Sequence, residues 1–171
     1  MSLVQVVVLI VALQRLAELA YARRNTRRLL AAGGRETGAG HYPVLVLVHG
    51  AWLLALFTLV PDGAPVNLWL LGLFVVLQAG RLWVIASLGR FWTTRIVTLA
   101  NTPLVRHGPY RVLRHPNYAI VAAEIAVLPL AFGAWQIALG FTLVNLPLLA
   151  YRIRIENAAL NYGDTLFNSD P

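Results

Sequence analysis

The chain has 171 residues, 58% of them hydrophobic and only 12% charged, with a formal net charge of +7. An ordinary soluble domain carries about a quarter charged residues, so this is the composition of a membrane protein, organised as one domain. The absence of cysteine excludes disulfides, thiolate zinc sites and a catalytic thiol. The four histidines (His41, His49, His107 and His115) show no two-histidine helical spacing, and no metal site is expected.

Val4–Ala22 is long enough to cross roughly 30 Å of hydrocarbon. Val4–Leu13 and Ala20-Tyr21-Ala22 have the outline of a signal-peptide core and cleavage site. No Arg or Lys precedes them, however, and Arg15 and Glu18 interrupt the end of the run, so a retained membrane helix is the better reading. Pro43–Val60 is just long enough for a second span, and Val66–Leu88 supplies a third. Tyr118–Tyr151 covers 34 residues, too many for one span at about 1.5 Å per residue. Pro129 and Gly133 sit near its middle, where a break is cheap. Two short helices, 118–131 and 134–151, joined by a tight turn are therefore predicted. The expected fold is an all-α integral membrane protein of five transmembrane helices, the last two forming a helical hairpin. Residues 1–171 form a single membrane domain: 1–88 hold three transmembrane helices, and 89–171 hold a polar loop, the hairpin and a C-terminal segment.

All 14 basic residues are Arg. Five spans place residues 23–42, 89–117 and 152–171 on one side, and these segments hold twelve of the 14 arginines; the opposite side has none. The positive-inside rule then puts the N-terminus outside and the C-terminus in the cytoplasm of a multi-pass membrane protein. The Arg23–Arg28 run is explained by topology and attraction to anionic membrane lipid. A nucleic-acid partner is not expected.

Arg15, Glu18, His49, Arg81 and Glu124 are the ionisable residues inside the apolar segments. Their distances along the helices place most of them roughly 9–14 Å below the arginine-rich boundary, in one layer. Charges at that depth face the interior or a wet cavity and tend to pair. Arg15 with Glu18 and Arg81 with Glu124 are the expected pairs. Glu124 lies two turns below a polar motif and on nearly the same face as Asn117, which makes it and Arg81 candidates for the floor of a pocket.

That motif is Gly108-Pro109-Tyr110-Arg111-Val112-Leu113-Arg114-His115-Pro116-Asn117-Tyr118. Pro116 suits the first turn of a helix, where its missing N–H costs nothing. His115, preceding a proline, becomes the N-cap. The helix start then offers free N–H groups and a positive dipole end to a carboxylate or phosphate, with Arg111 and Arg114 beside it. Tyr118 offers an aromatic face to an adenine ring or a sulfonium. An interfacial belt of Tyr and Arg is the alternative for the same residues. At the far end, Arg152 and Arg154 suit the C-terminus of a last helix. Glu156 does not, so either the helix continues past it or it has a partner.

Gly108-Pro109-Tyr110, then Arg114-His115-Pro116-Asn117-Tyr118, a hydrophobic hairpin and Arg152…Glu156…Leu160 resemble the isoprenylcysteine carboxyl methyltransferase superfamily. The resemblance implies S-adenosylmethionine bound at the cytoplasmic face and a lipid substrate entering from the bilayer. His115 and Tyr118, within Arg114-His115-Pro116-Asn117-Tyr118, would contact the cofactor, with Arg152 and Glu156 closing the site. Gly89-Arg90-Phe91-Trp92-Thr93-Thr94-Arg95-Ile96, Pro103-Leu104-Val105-Arg106, Gln14–Glu18, Arg23-Arg24-Asn25 and Gly40-His41-Tyr42-Pro43 look like a bacterial branch of it. Members of that branch are associated with type III polyketide synthases and O-methylate alkylpyrones or phenolic lipids. The family usually has two adjacent acidic residues where this chain has Glu156-Asn157.

Methyl transfer from a sulfonium needs alignment of nucleophile, methyl carbon and sulfur with water excluded. An alkylpyrone enol or a prenylcysteine carboxylate ionises without a strong base, so the acceptor chiefly needs a cation. Arg95, in the loop, and Arg81 are the candidate catalytic residues. A prenylcysteine-type carboxyl methyltransferase, a membrane reductase using NADPH and a non-enzymatic partner of a lipid synthase are the rival readings.

Overall fold

A computed structural model describes residues 1–38, 40, 42–100, 102 and 104–167, with side chains described through residue 160. His41, Pro103 and the last four residues of the C-terminal segment lie outside the described residues. The described chain forms five helices: α1 (Leu3–Ala31), α2 (Tyr42–Leu59), α3 (Leu68–Leu88), α4 (Pro116–Ala131) and α5 (Trp135–Phe167). Four are long and apolar enough to cross a membrane; α4 has only 16 residues, about 24 Å at 1.5 Å per residue. It is also the most enclosed helix. Val121, Glu124, Ile125, Leu128 and Ala131 are all buried, packed with Val8 and Val11 of α1, Trp52 and Leu56 of α2, Phe74 of α3 and Leu149 of α5. A helix sheathed by its neighbours has little lipid contact to satisfy.

The outer surfaces are apolar instead. Leu13 and Leu16 of α1, Leu47 and Leu54 of α2, Val75 and Val76 of α3, and Leu139 and Leu143 of α5 are exposed, whereas Glu18, Arg81, Glu124 and Asn145 are buried. Apolar surface outside and charge within suit a hydrocarbon solvent rather than water.

Direct contacts fix the helix directions. The Asn67 N–H donates to the Ala131 carbonyl at 2.8 Å, bringing the start of α3 to the end of α4. Arg81 Nη1 lies 3.5 Å from Asn117 Oδ1 towards the other end, so α3 and α4 are antiparallel. α4 reverses into α5 at Phe132–Ala134, where Gly133 has φ +71°, a left-handed conformation that favours glycine. Pro129 stays inside α4, its carbonyl accepting from the N–H groups of Phe132 and Ala134. The start of α4 then meets residues 152–157 of α5, making that pair antiparallel as well.

Two helix ends differ from the sequence reading. α1 does not stop at Ala22 but continues to Ala31, burying Ala22, Asn25, Thr26 and Leu29 while Arg23, Arg24, Arg27 and Arg28 point outward. That is an amphipathic pattern, which a search for apolar runs passes over. α5 does not stop at Tyr151. It runs through Glu156 to Phe167 with Pro147 inside it, because Arg, Glu, Ala and Leu after Tyr151 are good helix formers. Two short strands that the apolar pattern did not signal, β1 (Arg35–Thr37) and β2 (Ile96–Thr98), pair antiparallel with Arg35 opposite Thr98. They tie the segment after α1 to the loop after α3.

Candidate functional site

Two polar clusters lie in the half of the bundle that carries the arginines. The deeper one joins α1, α3 and α4. Arg81 Nε donates to both carboxylate oxygens of Glu18 at 3.0 and 2.9 Å, and its Nη2 lies 2.8 Å from Glu18 Oε2. Arg15 Nη2 donates to Glu124 Oε2 at 2.8 Å and Nη1 to Glu18 at 3.0 Å. The expected Arg81–Glu124 pair is the loosest of the set, at 3.5 Å; the principal partner of Arg81 is Glu18, and that of the fully buried Glu124 is Arg15. The cause is geometric. Arg15 reaches across to α4 and leaves the Glu18 carboxylate turned towards α3, where Arg81 can take it side-on with two donors. Gln14 bridges Glu18 and Gln78 at 3.0 Å each, and Gln78 donates to Glu124 at 2.9 Å. Sequence reasoning left both glutamines out of the layer because it counted only ionisable groups; Gln14 entered only through the family resemblance. His49 stands apart, edge-on to Trp52 with ring centroids 5.8 Å apart, and among the described residues it is not bonded to the layer.

The shallower cluster forms where α4 begins. His115 is the N-cap of α4 with Pro116 at the first position, and no side chain caps the helix start. The His115 and Tyr118 rings stack at 5.5 Å. The Tyr118 hydroxyl donates to Glu156 Oε2 and accepts from Arg152 Nε at 2.8 Å, and the Arg152 guanidinium lies 5.7 Å from the Tyr118 ring centroid. His115 Nδ1 is 3.7 Å from Glu156 Oε1, and Nε2 is 3.0 Å from Asn157 Oδ1. Glu156 thus both lies within a continuing helix and has partners. Asn157, the departure from the usual acidic pair, also joins the cluster. Tyr110 stands in a 3-10 turn at Gly108–Arg111. Burial, then the Glu156 carboxylate, push its phenol far up, so it stays a neutral hydroxyl. Gly108, at φ +60°, lets that turn approach α3: a Cβ there would fall 2.4 Å from Ser87 Oγ.

The remaining sequence-predicted residues are distributed as follows. Asn117 faces Arg81 at 3.5 Å and links the two clusters. Arg114 is exposed and makes no hydrogen bond or ion pair among the described residues. Arg95 precedes β2, is 45% exposed and is bound to Glu36 at 3.0 Å, with its guanidinium 5.2 Å from the Tyr42 ring centroid. Its neighbour Thr94 belongs to the shallow cluster, since the Thr94 carbonyl accepts from Arg152 Nη2 at 2.7 Å. Trp92 is buried, with Arg81 6.0 Å from its ring centroid. Two clefts of about 200 and 420 Å³ open at the other half of the bundle, around Ser2–Val4 with Pro61–Val66, and along Ala55, Leu59, Ile137 and Phe141. They are apolar and touch neither cluster.

The chain that builds these two polar clusters, one buried within the apolar bundle and one at the start of α4, matches a known family. The model of the isoprenylcysteine carboxyl methyltransferase (ICMT) family matches residues 70–162, the segment that holds both Arg81 and the whole shallow cluster. The chain is 38% identical over 155 residues to the uncharacterized protein YpbQ of Bacillus subtilis (strain 168), covering 88% of this chain and 92% of that protein. It is 27% identical over 156 residues to an uncharacterized protein of Haemophilus influenzae, covering 86% and 89%. No solved structure matches. The chain belongs to the isoprenylcysteine carboxyl methyltransferase family and is a multi-pass membrane methyltransferase.

Proposed function

We propose that this membrane methyltransferase uses S-adenosylmethionine, held by the shallow cluster, to O-methylate a lipophilic acceptor, an alkylpyrone or a phenolic lipid. One observation carries the cofactor reading. Residues 115–118 and 152–157 meet at an uncapped helix start with a cation, a carboxylate and stacked rings in one place. The donor set fits the molecule. In the first turn of α4, Pro116 has no N–H and those of Tyr118 and Ala119 donate to the His115 carbonyl; the Asn117 N–H, with Arg152 and His115, suits the molecule's carboxylate. Glu156 suits its ammonium or ribose hydroxyls, and the Tyr118 face suits adenine or the sulfonium. When bound, the cofactor supplies an electrophilic methyl group. The bonds that now close Tyr118, Glu156 and Arg152 on one another are the ones a ligand would exchange.

The protein's own part is to hold the acceptor oxygen and keep water away. Arg95 and Arg81 are the cations proposed for that oxygen. Arg95 is the better placed of the two. It has one carboxylate partner and is half-exposed, beside the carbonyl that Arg152 grips, whereas Arg81 is buried between two carboxylates. An acceptor displacing Glu36 from Arg95 gives up one exposed ion pair, worth about 1 kcal/mol or less. Freeing Arg81 would leave buried charge uncompensated. The arginine distribution supports a cytoplasmic position for both clusters, with the N-terminus outside, in a bacterial inner membrane. A link to a type III polyketide synthase follows from the alkylpyrone reading.

Calorimetric titration of the purified protein with S-adenosylmethionine, S-adenosylhomocysteine and NADPH tests the cofactor. The first two should bind and NADPH should not. Binding of NADPH alone would replace this reading with the reductase one. Reporter fusions after Gly63 and after Pro171 should lie on opposite sides of the membrane.

A further inference from the structure

Asn25 lies in the stretch of α1 beyond Ala22 and is only 1% exposed. Its side-chain amide donates to two carbonyls of the loop after α3: Gly89 O at 3.1 Å and Trp92 O at 2.9 Å. Those carbonyls bracket the 3-10 turn at Gly89–Phe91. Two residues further on, Thr94 O receives Arg152 Nη2, and Arg152 Nε goes to the Tyr118 hydroxyl. Beyond Thr94 the chain is pinned again, by the β1–β2 pairing. The loop is therefore held on both sides of the one carbonyl that meets Arg152, and both holds come from the first part of the chain.

We propose that Asn25 is a positioning residue for Arg152: by clamping the Gly89–Trp92 turn it fixes where the Thr94 carbonyl stands, and so how the guanidinium is presented to Tyr118 and Glu156. Both ends of the Arg152 fork are already assigned, Nη2 to Thr94 and Nε to Tyr118. With its Nε–Nη2 edge on two acceptors, a planar guanidinium must tilt or give up one bond if either acceptor moves by about an ångström. α1 lies outside residues 70–162, the segment the family model matches, so α1 contributes to a site whose recognised residues all lie elsewhere. Arg81 lies over the Trp92 ring, but among the described residues no other side chain hydrogen-bonds to this turn. An Asn whose only task was helix stability would have no need of two carbonyls on another element, because Asn is a poor residue for a helix interior.

The inference rests on the cofactor reading for its second readout only. The first readout is amide hydrogen exchange of the ligand-free protein in detergent. Asn25→Leu keeps the side-chain volume and removes both donors. It should speed exchange at residues 89–95 at least tenfold while the middle of α3 and α4 exchange as before. Asn25→Ser, which keeps one hydroxyl donor on a shorter side chain, should fall between. The second readout is S-adenosylhomocysteine affinity in a double-mutant cycle. Asn25→Leu should weaken binding about tenfold in the otherwise native protein and have no further effect when Arg152→Leu is already present. Equal losses in both backgrounds, or unchanged exchange in 89–95 in both Asn25 variants, would overturn the proposal. If the native protein binds no S-adenosylhomocysteine, the cofactor reading falls, and exchange in 89–95 alone decides the clamp.

Discussion

Arg15, Glu18, Arg81 and Glu124 have side-chain exposures of 0 to 13%, and every one of them has at least two partners in the same layer. Glu156 is 28% exposed, at a helix start that no side chain caps. The two clusters use similar residue types, but they differ in what a newcomer would have to displace. In the deep layer two cations and two carboxylates cancel, and any exchange of partners strands a charge in a dry interior. In the shallow cluster a hydroxyl, an imidazole and an amide share the work with one Arg and one Glu, so exchanging a neutral partner for water or a ligand strands no charge. A closed network fixes how helices pack, and an open one can bind. Asn117, bonded to Arg81 and one residue before Tyr118, is the joint between them.

The most forceful way to break this comparison is to unbalance the deep layer. Glu18→Leu leaves Arg81 without its principal partner and should cost about 3–5 kcal/mol, read as loss of monodisperse protein in detergent or as a steep fall in Tm. Pairing it with Arg81→Leu should recover much of that loss, because the double change restores neutrality. Arg81→Leu combined with Glu124→Leu should recover less, because it breaks both close inter-helix pairs, Arg81–Glu18 and Arg15–Glu124, whereas the first double change leaves Arg15–Glu124 intact. If the two double variants are equally stable, the bond pattern described for the layer is wrong and the four charges act as a diffuse pool.

The shallow cluster should respond in function and not in folding. Tyr118→Phe keeps the ring that stacks on His115 and removes the hydroxyl that joins Arg152 to Glu156. S-adenosylhomocysteine affinity should drop about ten- to a hundredfold, as for one charge-assisted hydrogen bond at about 1.5–3 kcal/mol, with Tm nearly unchanged. Tyr118→Ala should drop further, through the lost aromatic face. Identical affinities for the native protein and Tyr118→Ala would reduce the motif to an interfacial belt.

How much of this was legible beforehand differs between the clusters for a physical reason. Depth along a helix is a function of residue number alone, so the sequence brings Arg15, Arg81 and Glu124 into one layer. Which Arg meets which Glu depends on helix rotation and on side-chain reach across the bundle, and sequence spacing carries neither. The expected Arg81–Glu124 pairing therefore gave way to Arg81–Glu18. Pro116 marked the start of α4 correctly, because a missing N–H has a local meaning. The ends of α1 and α5 were misplaced because an amphipathic or polar helix leaving the membrane has no apolar run to mark it. The two strands were invisible for another reason: three residues each, from segments far apart in the chain, they exist only once the helices have brought them together. Asn25 shows the same limit, since its partners are backbone carbonyls that any sequence would provide.

Arg95 tests whether a cation can serve the acceptor without serving the fold. It is 45% exposed and bound to Glu36, so Arg95→Ala should cost less than about 1 kcal/mol of stability. Under the proposed function it should nonetheless lower turnover on a long-chain alkylpyrone strongly, with S-adenosylhomocysteine affinity kept. Turnover should also fall for a short-chain analogue in the native protein, because a lipid acceptor would enter from the bilayer. Loss of cofactor affinity in Arg95→Ala would place that residue with Arg152 instead.

The smallest expected effect marks the edge of the shallow cluster. Arg114 stands in the motif beside His115 but is exposed, and what it offers an anion at the start of α4 is a screened point charge. Arg114→Ala should weaken S-adenosylhomocysteine binding by about two- to fivefold at low ionic strength, in line with less than about 1 kcal/mol for an exposed charge near a helix end. At about 1 M salt the Debye length shrinks to roughly 3 Å, and that difference should vanish. Arg152, buried and bonded at both ends of its fork, should show the opposite behaviour: a larger loss on Arg152→Leu that survives the salt. If the Arg114 effect survives it too, the side chain reaches the ligand directly, and the cluster extends outward along the loop.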